Sequence, residues 1–232
     1  MSLPLLLSVP HAGTEVPTEV AAYCALTPEQ IIADGDEGAA DIYALADEVS
    51  AHVTTTVARA VVDLNRASDD FSRDGAIKTH TCWEVPVWDP PLPPELANVL
   101  IDTYWRPYHE QLCDLGTSGR FLLGVDGHTM AAHGPPVGPD AGAERPAACL
   151  SNADGTCPTR WIETLQAGLA RRLGQQVTIN RPFRGGYITR SHAGEMPWLQ
   201  IEFSRAPFSD PPTKRRAVLG ALSDLCDAIG RS

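Results

Sequence analysis

The chain has 232 residues, of which 43% are apolar and 20% are charged, and its formal net charge is −11. A chain of this length and composition buries one sizeable core, so we expect a single α/β domain over residues 1–232. The acidic charge argues against a nucleic acid or an anionic membrane as partner, because both reward an excess of Lys and Arg. No apolar stretch approaches the roughly 20 residues that a membrane helix needs.

The six cysteines include no Cys-x-x-Cys pair, and the N-terminus shows neither the basic region nor the cleavage site of a signal peptide. We therefore expect reduced thiols in a cytoplasmic protein. The sequence leaves open whether the chain is a monomer or a small homo-oligomer.

Apolar runs of β-type residues alternate with amphipathic stretches along the chain. This pattern predicts a mixed, mainly parallel sheet with helices on both faces. We predict strands over residues 4–9, 53–57, 60–65, 120–126, 176–180 and 198–204. We predict helices over residues 36–51, 94–116, 158–174 and 212–229. Two irregular segments, 67–93 and 134–146, are predicted as loops that contribute to a functional site. We expect 67–93 to fold over that site as a flap.

Two histidines each follow directly on a short apolar run. His11 comes after residues 5–10, and His128 comes after residues 121–127. The ligand crevice of an open α/β sheet lies outside the carboxyl ends of its strands, so we expect both histidines to face it. A catalytic zinc ion takes three protein ligands and keeps one position open. The pair therefore predicts one Zn²⁺ site, although Co²⁺ or Mn²⁺ suits the same ligand types.

The third metal ligand is predicted to be acidic. Asp36 and Glu37 begin the predicted helix 36–51, and Glu15 lies four residues beyond His11. The alternative to a metal site is that His11 and His128 are hydrogen-bonded loop residues. Glycines near both histidines favour the metal site, because they allow a close approach of the backbone.

Two other segments carry candidate substrate-binding and catalytic groups. Asn65 and Arg66 end the predicted strand 60–65 and present an amide beside a guanidinium fork, which suits an acidic substrate. A surface salt bridge between Asp63 and Arg66 is the alternative. Glu202 lies in an apolar strand, where desolvation raises a carboxyl pKa towards that of a general base. It either pairs with Arg205 or faces a water molecule at the metal.

Five motifs in sequence resemble those of the N-formylglutamate amidohydrolase (deformylase) family. They are PHAGT at 10–14, DLNR at 63–66, DGHT at 126–129, RPFRGGYITR at 181–190 and LQIEFSR at 199–205. That family is similar in fold to the zinc carboxypeptidases and to aspartoacylase. The resemblance implies one catalytic domain that hydrolyses a small anionic N-acyl amino acid. The first choice of reaction is N-formyl-L-glutamate to formate and L-glutamate, within histidine degradation.

The same resemblance assigns roles to individual residues. His11, His128 and an acidic residue at 36–37 are expected to bind one zinc ion. Asp36 is preferred over Glu37, because the family favours Asp there. Glu202 falls where the relatives keep their general base.

The substrate is expected to be held by cationic and amide groups. By the resemblance, Asn65 and Arg66 hold one carboxylate of the substrate. Arg190 follows the Gly185-Gly186 turn and is expected to clamp a second carboxylate and to act with Glu202 in catalysis. Arg184 is the alternative clamp.

The chain departs from the family pattern beside two predicted ligands. Asp36-Glu37 stands where the family tends to have Asp-Trp, and residues 127–129 read Gly-His-Thr where it tends to have Cys-His-Ser. These changes spare the metal set but alter the pocket walls, so another N-acyl amino acid or peptide-like amide is the main alternative substrate. A metal-free protein that binds a dicarboxylate is the alternative from another class.

Two further histidines are interpreted from their neighbours in the sequence. His109 precedes Glu110 in the predicted helix 94–116, which is typical of a surface pair. His192 follows Arg190 closely, and we expect it to line the pocket.

Overall fold

Six strands form one mixed sheet in the computed structural model, which describes residues 2–230. The strands are β1 (Leu3–Val9), β2 (Val49–Thr54), β3 (Leu123–Met130), β4 (Ala148–Ser151), β5 (Val177–Ile179) and β6 (Trp198–Ser204). Their order across the sheet is β2-β1-β3-β6-β4-β5. Strands β2, β1, β3 and β6 are mutually parallel, whereas β4 runs antiparallel to β6 and parallel to β5. The predicted mixed, mainly parallel sheet is confirmed.

Helices cover both faces of this sheet. They are α1 (Pro28–Asp34), α2 (Ala39–Ile42), α3 (Pro94–Leu100), α4 (Arg106–Gly116), α5 (Thr159–Leu173), α6 (Tyr187–Ser191) and α7 (Pro211–Gly230). One π-helical turn, Ile101–Trp105, joins α3 to α4. The predicted helices 94–116, 158–174 and 212–229 are therefore confirmed. Across the described residues, no helix combines the length and the apolar character that crossing a membrane requires.

The predicted helix 36–51 is wrong over most of its length. Only Ala39–Ile42 is helical, and β2 already begins at Val49, so the predicted strand 53–57 starts four residues late. The helix ends at Tyr43, whose hydroxyl donates to the carbonyl oxygens of His128 (3.1 Å) and Ile201 (3.0 Å). Tertiary hydrogen bonds to the sheet thus outweigh a local helical pattern.

The predicted strand 60–65 is also wrong, because this segment runs through turns and irregular backbone outside the sheet. Its apolar residues Val61, Val62 and Leu64 are buried, but they pack against side chains of α3 and α4 and do not form part of the sheet. Asp63 is fully buried, and its backbone N–H donates to the carbonyl oxygen of Ala76 at 2.8 Å. An apolar run of this length marks burial without fixing the backbone conformation.

The two faces of the sheet differ in chemistry. On one face, alternate apolar residues pack against α2, α5 and α7: Leu5, Leu7 and Val9 of β1, Leu123 and Val125 of β3, and Leu199, Ile201 and Phe203 of β6. Successive side chains of a strand alternate between faces, so the intervening residues share the opposite face. Its carboxyl half is polar and buried, and the residues there are Ser8, Asp126, His128, Gln200 and Glu202. The fold thereby gathers ionisable groups at one end of one face.

Candidate active site

Three buried side chains converge near the carboxyl ends of β1 and β3. They are His11, two residues beyond β1, Asp36, two residues beyond α1, and His128 within β3. Asp36 Oδ2 lies 3.5 Å from Nδ1 of His11 and 2.8 Å from Nδ1 of His128. One ligand atom from each residue lies within 4.8 Å of the others. The three residues form a group that could hold a metal ion.

The structure separates Asp36 from the other two acidic residues considered. Glu37 follows Asp36 directly but is exposed, and its backbone carbonyl accepts a hydrogen bond from Thr129 Oγ1 at 3.0 Å. Glu15 is exposed and pairs through its backbone with Val57. Neither belongs to the converging group.

The position of His128 differs from the sequence prediction in one respect. We predicted that the strand ends at residue 126, with His128 beyond it, but β3 continues to Met130. The alternation of Asp126 and His128 with small or apolar residues is a strand pattern in which the polar side chains share one face. His128 is thus fixed by strand pairing with β6, where it lies beside Glu202.

A second buried carboxylate lies behind each histidine. Nε2 of His11 is 2.9 Å from Asp63 Oδ1, and Nε2 of His128 is 2.9 Å from Asp126 Oδ2. Both aspartates are fully buried. A carboxylate on the far ring nitrogen fixes the tautomer and orientation of a metal-binding histidine and raises its basicity. Two imidazoles and a carboxylate with this backing fit a divalent transition metal such as zinc.

Neighbouring charges shift the pKa values of this group. Burial alone would raise the pKa of Asp36, but His11 and His128 hold it below its usual range. Burial would likewise raise the pKa of Asp63, but Arg59 and His11 hold it well below its usual range. Both carboxylates are therefore ionised at neutral pH, which is the state in which a carboxylate binds a metal or orients a histidine.

Glu202 completes the polar face beside His128. Its carboxylate is buried and accepts a hydrogen bond from Gln200 Nε2 at 2.7 Å. Burial raises the pKa of Glu202, although His128 opposes the shift. Arg205, the expected alternative partner, donates instead to the backbone carbonyl of Gly35. A buried carboxyl with a raised pKa suits proton transfer at neutral pH.

A cavity of about 270 Å³ connects these groups. Its lining includes the three converging residues and Glu202, together with five arginines: Arg59, Arg66, Arg145, Arg184 and Arg205. The same lining carries four carboxylates, those of Asp34, Asp36, Asp74 and Glu202, so the five arginines leave an excess of positive charge that favours an anion although the whole chain is acidic. Both predicted loops contribute to it, 67–93 through Trp83 and 134–146 through Pro135.

The family model for N-formylglutamate amidohydrolase matches residues 3–208. The chain belongs to this family. It is accordingly an enzyme that hydrolyses an amide bond.

Relatives of this family share most of the chain. The N-formylglutamate deformylase of Pseudomonas aeruginosa is 28% identical, in an alignment that covers 99% of this chain and 94% of that protein. The N-formylglutamate deformylase of Pseudomonas putida is also 28% identical and covers 90% of this chain and 82% of its own length. The crystal structure of N-formylglutamate amidohydrolase from Ralstonia eutropha JMP134 aligns with a TM-score of 0.82 at 21% identity, covering 99% of this chain and 95% of that one. This last likeness shows a common fold.

The structure brings most of the predicted substrate-binding residues of this family member to the cavity. Asn65, Arg66, Arg184 and the glycines at 185–186 all line it. Arg66 pairs with Asp74 at 2.8 Å and not with Asp63, so the alternative of an Asp63–Arg66 salt bridge is wrong.

Arg190 lies apart from the cavity lining. It is exposed, and its Nε donates to the carbonyl oxygen of Gly185 at 3.0 Å. A second guanidinium nitrogen reaches the carbonyl oxygen of Arg184. The structure therefore places Arg190 behind the double-glycine turn, which it stabilises, rather than in the cavity.

Sequence analysis did not predict the contact of Asp126 with Nε2 of His128, and it considered Asp63 only as a partner of Arg66. The spacing Asp126-x-His128 is a usable signal for such a pair within a strand, because residues two apart share a face. The contact between Asp63 and His11 spans 52 positions in the sequence, and no local pattern predicts it.

Gly186 allows the backbone to approach Asn65 closely. A Cβ atom at this position would collide with the side-chain amide of Asn65. Misplacing a substrate-positioning group by about 1 Å costs on the order of 100-fold in rate, so we expect Gly186→Ala to lower kcat/KM by about that factor. Steady-state kinetics measures this. The matched control is Gly194→Ala, because no atom lies within 4 Å of a Cβ there. Equal activity of the two variants would contradict the expectation.

Proposed function

We propose that this enzyme hydrolyses the amide bond of an N-acyl amino acid, with N-formyl-L-glutamate as first choice, and that residues 1–232 form one catalytic domain. One divalent metal ion, first of all Zn²⁺, is held by His11, Asp36 and His128. The observation that carries this proposal is the buried cluster of these three residues beside Glu202, in a cavity with five arginines. The curated relatives named as N-formylglutamate deformylases support the choice of substrate.

The proposed reaction assigns each group of this site a task. His11, Asp36 and His128 would hold a metal ion, which would polarise the scissile carbonyl and lower the pKa of a water molecule. Glu202 accepts a proton from the water molecule while the water oxygen forms a bond to the acyl carbon. It then passes this proton to the amine nitrogen as the C–N bond breaks, which yields a carboxylate and an amino acid. Asp63 and Asp126 keep both imidazole rings oriented throughout.

The proposed substrate carries two carboxylates, for which the cavity offers cationic groups. We assign one carboxylate to Asn65 and Arg66. The guanidinium of Arg66 is oriented by its hydrogen bond to the carboxylate of Asp74. We assign the other substrate carboxylate to Arg184, which also lines the cavity. Arg190 acts on the substrate indirectly, because it holds the turn at Gly185.

The wider biological setting is part of the same proposal. A cytoplasmic location is supported by six cysteines that are all unpaired. A place in histidine degradation rests on the family relationship alone.

The proposal is tested by metal analysis together with a substrate panel. Protein purified without chelator is expected to contain about one metal ion per chain, and a chelator should abolish hydrolysis that added zinc restores. The panel compares N-formyl, N-acetyl and N-succinyl derivatives of Glu, Gln and Asp with N-formylleucine. A buried polar site rejects an analogue that leaves its charged groups unpaired, so kcat/KM for N-formylglutamate should exceed that for N-formylleucine by at least about 100-fold.

Two outcomes would overturn this proposal. Equal activity on N-formylglutamate and N-formylleucine would contradict the assignment of Arg66 and Arg184. Less than about one metal ion per chain, with binding of N-formylglutamate but no hydrolysis after zinc is added, would favour a dicarboxylate-binding protein instead.

A further inference from the structure

A chain of three ionisable side chains lies outside the cavity and ends at the backbone next to Asn65. Nδ1 of His192 is 2.9 Å from both carboxylate oxygens of Glu195. Nε2 of His192 is 2.9 Å from Nδ1 of His109, and Nε2 of His109 is 2.9 Å from the carbonyl oxygen of Leu64. Both rings are buried, so the surface pair predicted for His109 is wrong, and His192 does not line the cavity.

The hydrogen bonds of this chain fix how many protons it holds. The carbonyl oxygen of Leu64 only accepts, so Nε2 of His109 carries a proton. Both oxygens of Glu195 lie equally close to Nδ1 of His192, as suits an ionised carboxylate, which only accepts, so this nitrogen carries another. The bond between the two rings needs a third proton. Two neutral imidazoles carry two protons in total, and the pair therefore bears one positive charge, which Glu195 balances.

The environment decides which of the two rings is charged. Burial lowers the pKa of His109 to about 4, and its contact with the carbonyl of Leu64 only partly offsets this. His192 is the ring that contacts the carboxylate. The extra proton is accordingly on His192, which donates from both ring nitrogens, while His109 is neutral and donates only to Leu64. The further titratable group beside Glu195 is Cys113, and its contact with this carboxylate raises the pKa of the thiol, so that it stays neutral.

The chain ends where the proposed substrate site begins. His109 stacks on Trp105 with 3.9 Å between ring centroids, and Trp105 Nε1 donates to the carbonyl oxygen of Arg66 at 2.9 Å. The carbonyls on both sides of Asn65 are thus held by neighbouring turns, by Trp105 at the end of the π-helical turn and by His109 in α4. The side chain of Asn65 is fixed in turn by the backbone N–H of Ile188, which donates to its Oδ1 at 2.8 Å.

We propose that Glu195, His192 and His109 form a charged positioning relay that holds Leu64, and through it Asn65 and Arg66, in the geometry that binds a substrate carboxylate. All three are positioning residues, because none of them lines the cavity. The inference rests on the proposed function only for the identity of the group that Asn65 and Arg66 bind. The protonation pattern of the relay is independent of it.

The first test reads the relay without any substrate. Nitrogen-15 NMR of the ring nitrogens at neutral pH is expected to show both nitrogens of His192 protonated. His109 should show one protonated nitrogen, Nε2, and one bare nitrogen. The signals are assigned by their disappearance in His109→Leu and His192→Leu. A neutral His192, or a His109 protonated at Nδ1, would overturn the relay whatever the enzyme hydrolyses.

The second test separates positioning from a general loss of structure. His109→Leu leaves the buried carbonyl of Leu64 without its donor, so it should raise KM for N-formylglutamate on the order of tenfold, with kcat and metal content little changed. Glu195→Ala should act in the same direction. Glu195→Gln should restore KM, because an amide can accept from or donate to Nδ1 of His192.

The matched control for these variants is His80→Leu, which removes a partly exposed ring whose Nδ1 is 2.9 Å from Oγ1 of the neighbouring Thr79. Positioning would be refuted if His109→Leu lowered kcat with KM unchanged. It would also be refuted if KM were as high in Glu195→Gln as in Glu195→Ala. If no N-acyl amino acid is hydrolysed at all, the proposed function fails while the NMR result still decides the relay.

Discussion

Replacement of Glu202 by glutamine is expected to lower kcat by about 10²–10⁴-fold, the usual contribution of a positioned general acid–base group. Glutamine keeps the shape of the side chain, and its amide oxygen can still accept the hydrogen bond that Gln200 donates to Glu202. The pocket is therefore preserved while proton transfer is lost. Steady-state kinetics with N-formyl-L-glutamate should show this loss in kcat, with little change in KM.

The metal content of the Glu202→Gln variant is expected to equal that of the wild type, because Glu202 is outside the group of His11, Asp36 and His128. Glu163→Gln is the matched control, since it makes the same chemical change at an exposed position on α5. If Glu202→Gln kept kcat within about threefold of the control, Glu202 would not be the general base.

The sequence predicted the strands that carry this site better than the segments between them. Residues 198–204 form β6 as predicted, because apolar Leu199, Ile201 and Phe203 alternate with polar Gln200 and Glu202, and this period of two is typical of a strand. Helix 36–51 failed, because the bonds that end it at Tyr43 come from strands far along the chain. Local periodicity predicts which residues are buried, and the tertiary partners then decide the backbone conformation.

The same limit applies to the candidate site. His11 and His128 were recognisable because each follows an apolar run. The choice of Asp36 over Glu37 came from the family resemblance, and the structure supports it because Glu37 turns to solvent. The contact of Asp63 with His11 joins distant segments, and a single sequence contains no local signal for it.

The arginines of the cavity illustrate a further limit. Arg190 belongs to a motif that resembles the family pattern and was expected to clamp a substrate carboxylate, yet it donates to the carbonyl oxygen of Gly185 and does not line the cavity. Arg145 was not predicted, although it lines the cavity and stacks over Phe183 with its guanidinium carbon 4.8 Å from the ring centroid. Whether an arginine faces a cavity depends on its carbonyl and carboxylate partners, and these are set by the fold.

Replacement of Asp36 by asparagine is expected to have the other large effect, a loss of metal. The asparagine side chain is nearly isosteric but neutral, so it removes the anionic ligand from between His11 and His128. Loss of an outer partner of a metal ligand typically costs 10–100-fold in metal affinity, and we expect a ligand replacement to exceed about 100-fold. Titration with a competing chelator measures this, and hydrolysis should fall in proportion to the metal lost.

Two further variants turn this expectation into a ranking. Asp126→Asn leaves an acceptor for Nε2 of His128 but removes the charge that backs the ring, so its metal affinity should fall by about 10–100-fold. Glu37→Gln changes an exposed neighbour of Asp36 and should bind metal like the wild type. The expected order of affinity is Glu37→Gln above Asp126→Asn above Asp36→Asn. If Glu37→Gln lost the metal while Asp36→Asn kept it, the acidic ligand would be Glu37, and the assignment of Asp36 would be wrong.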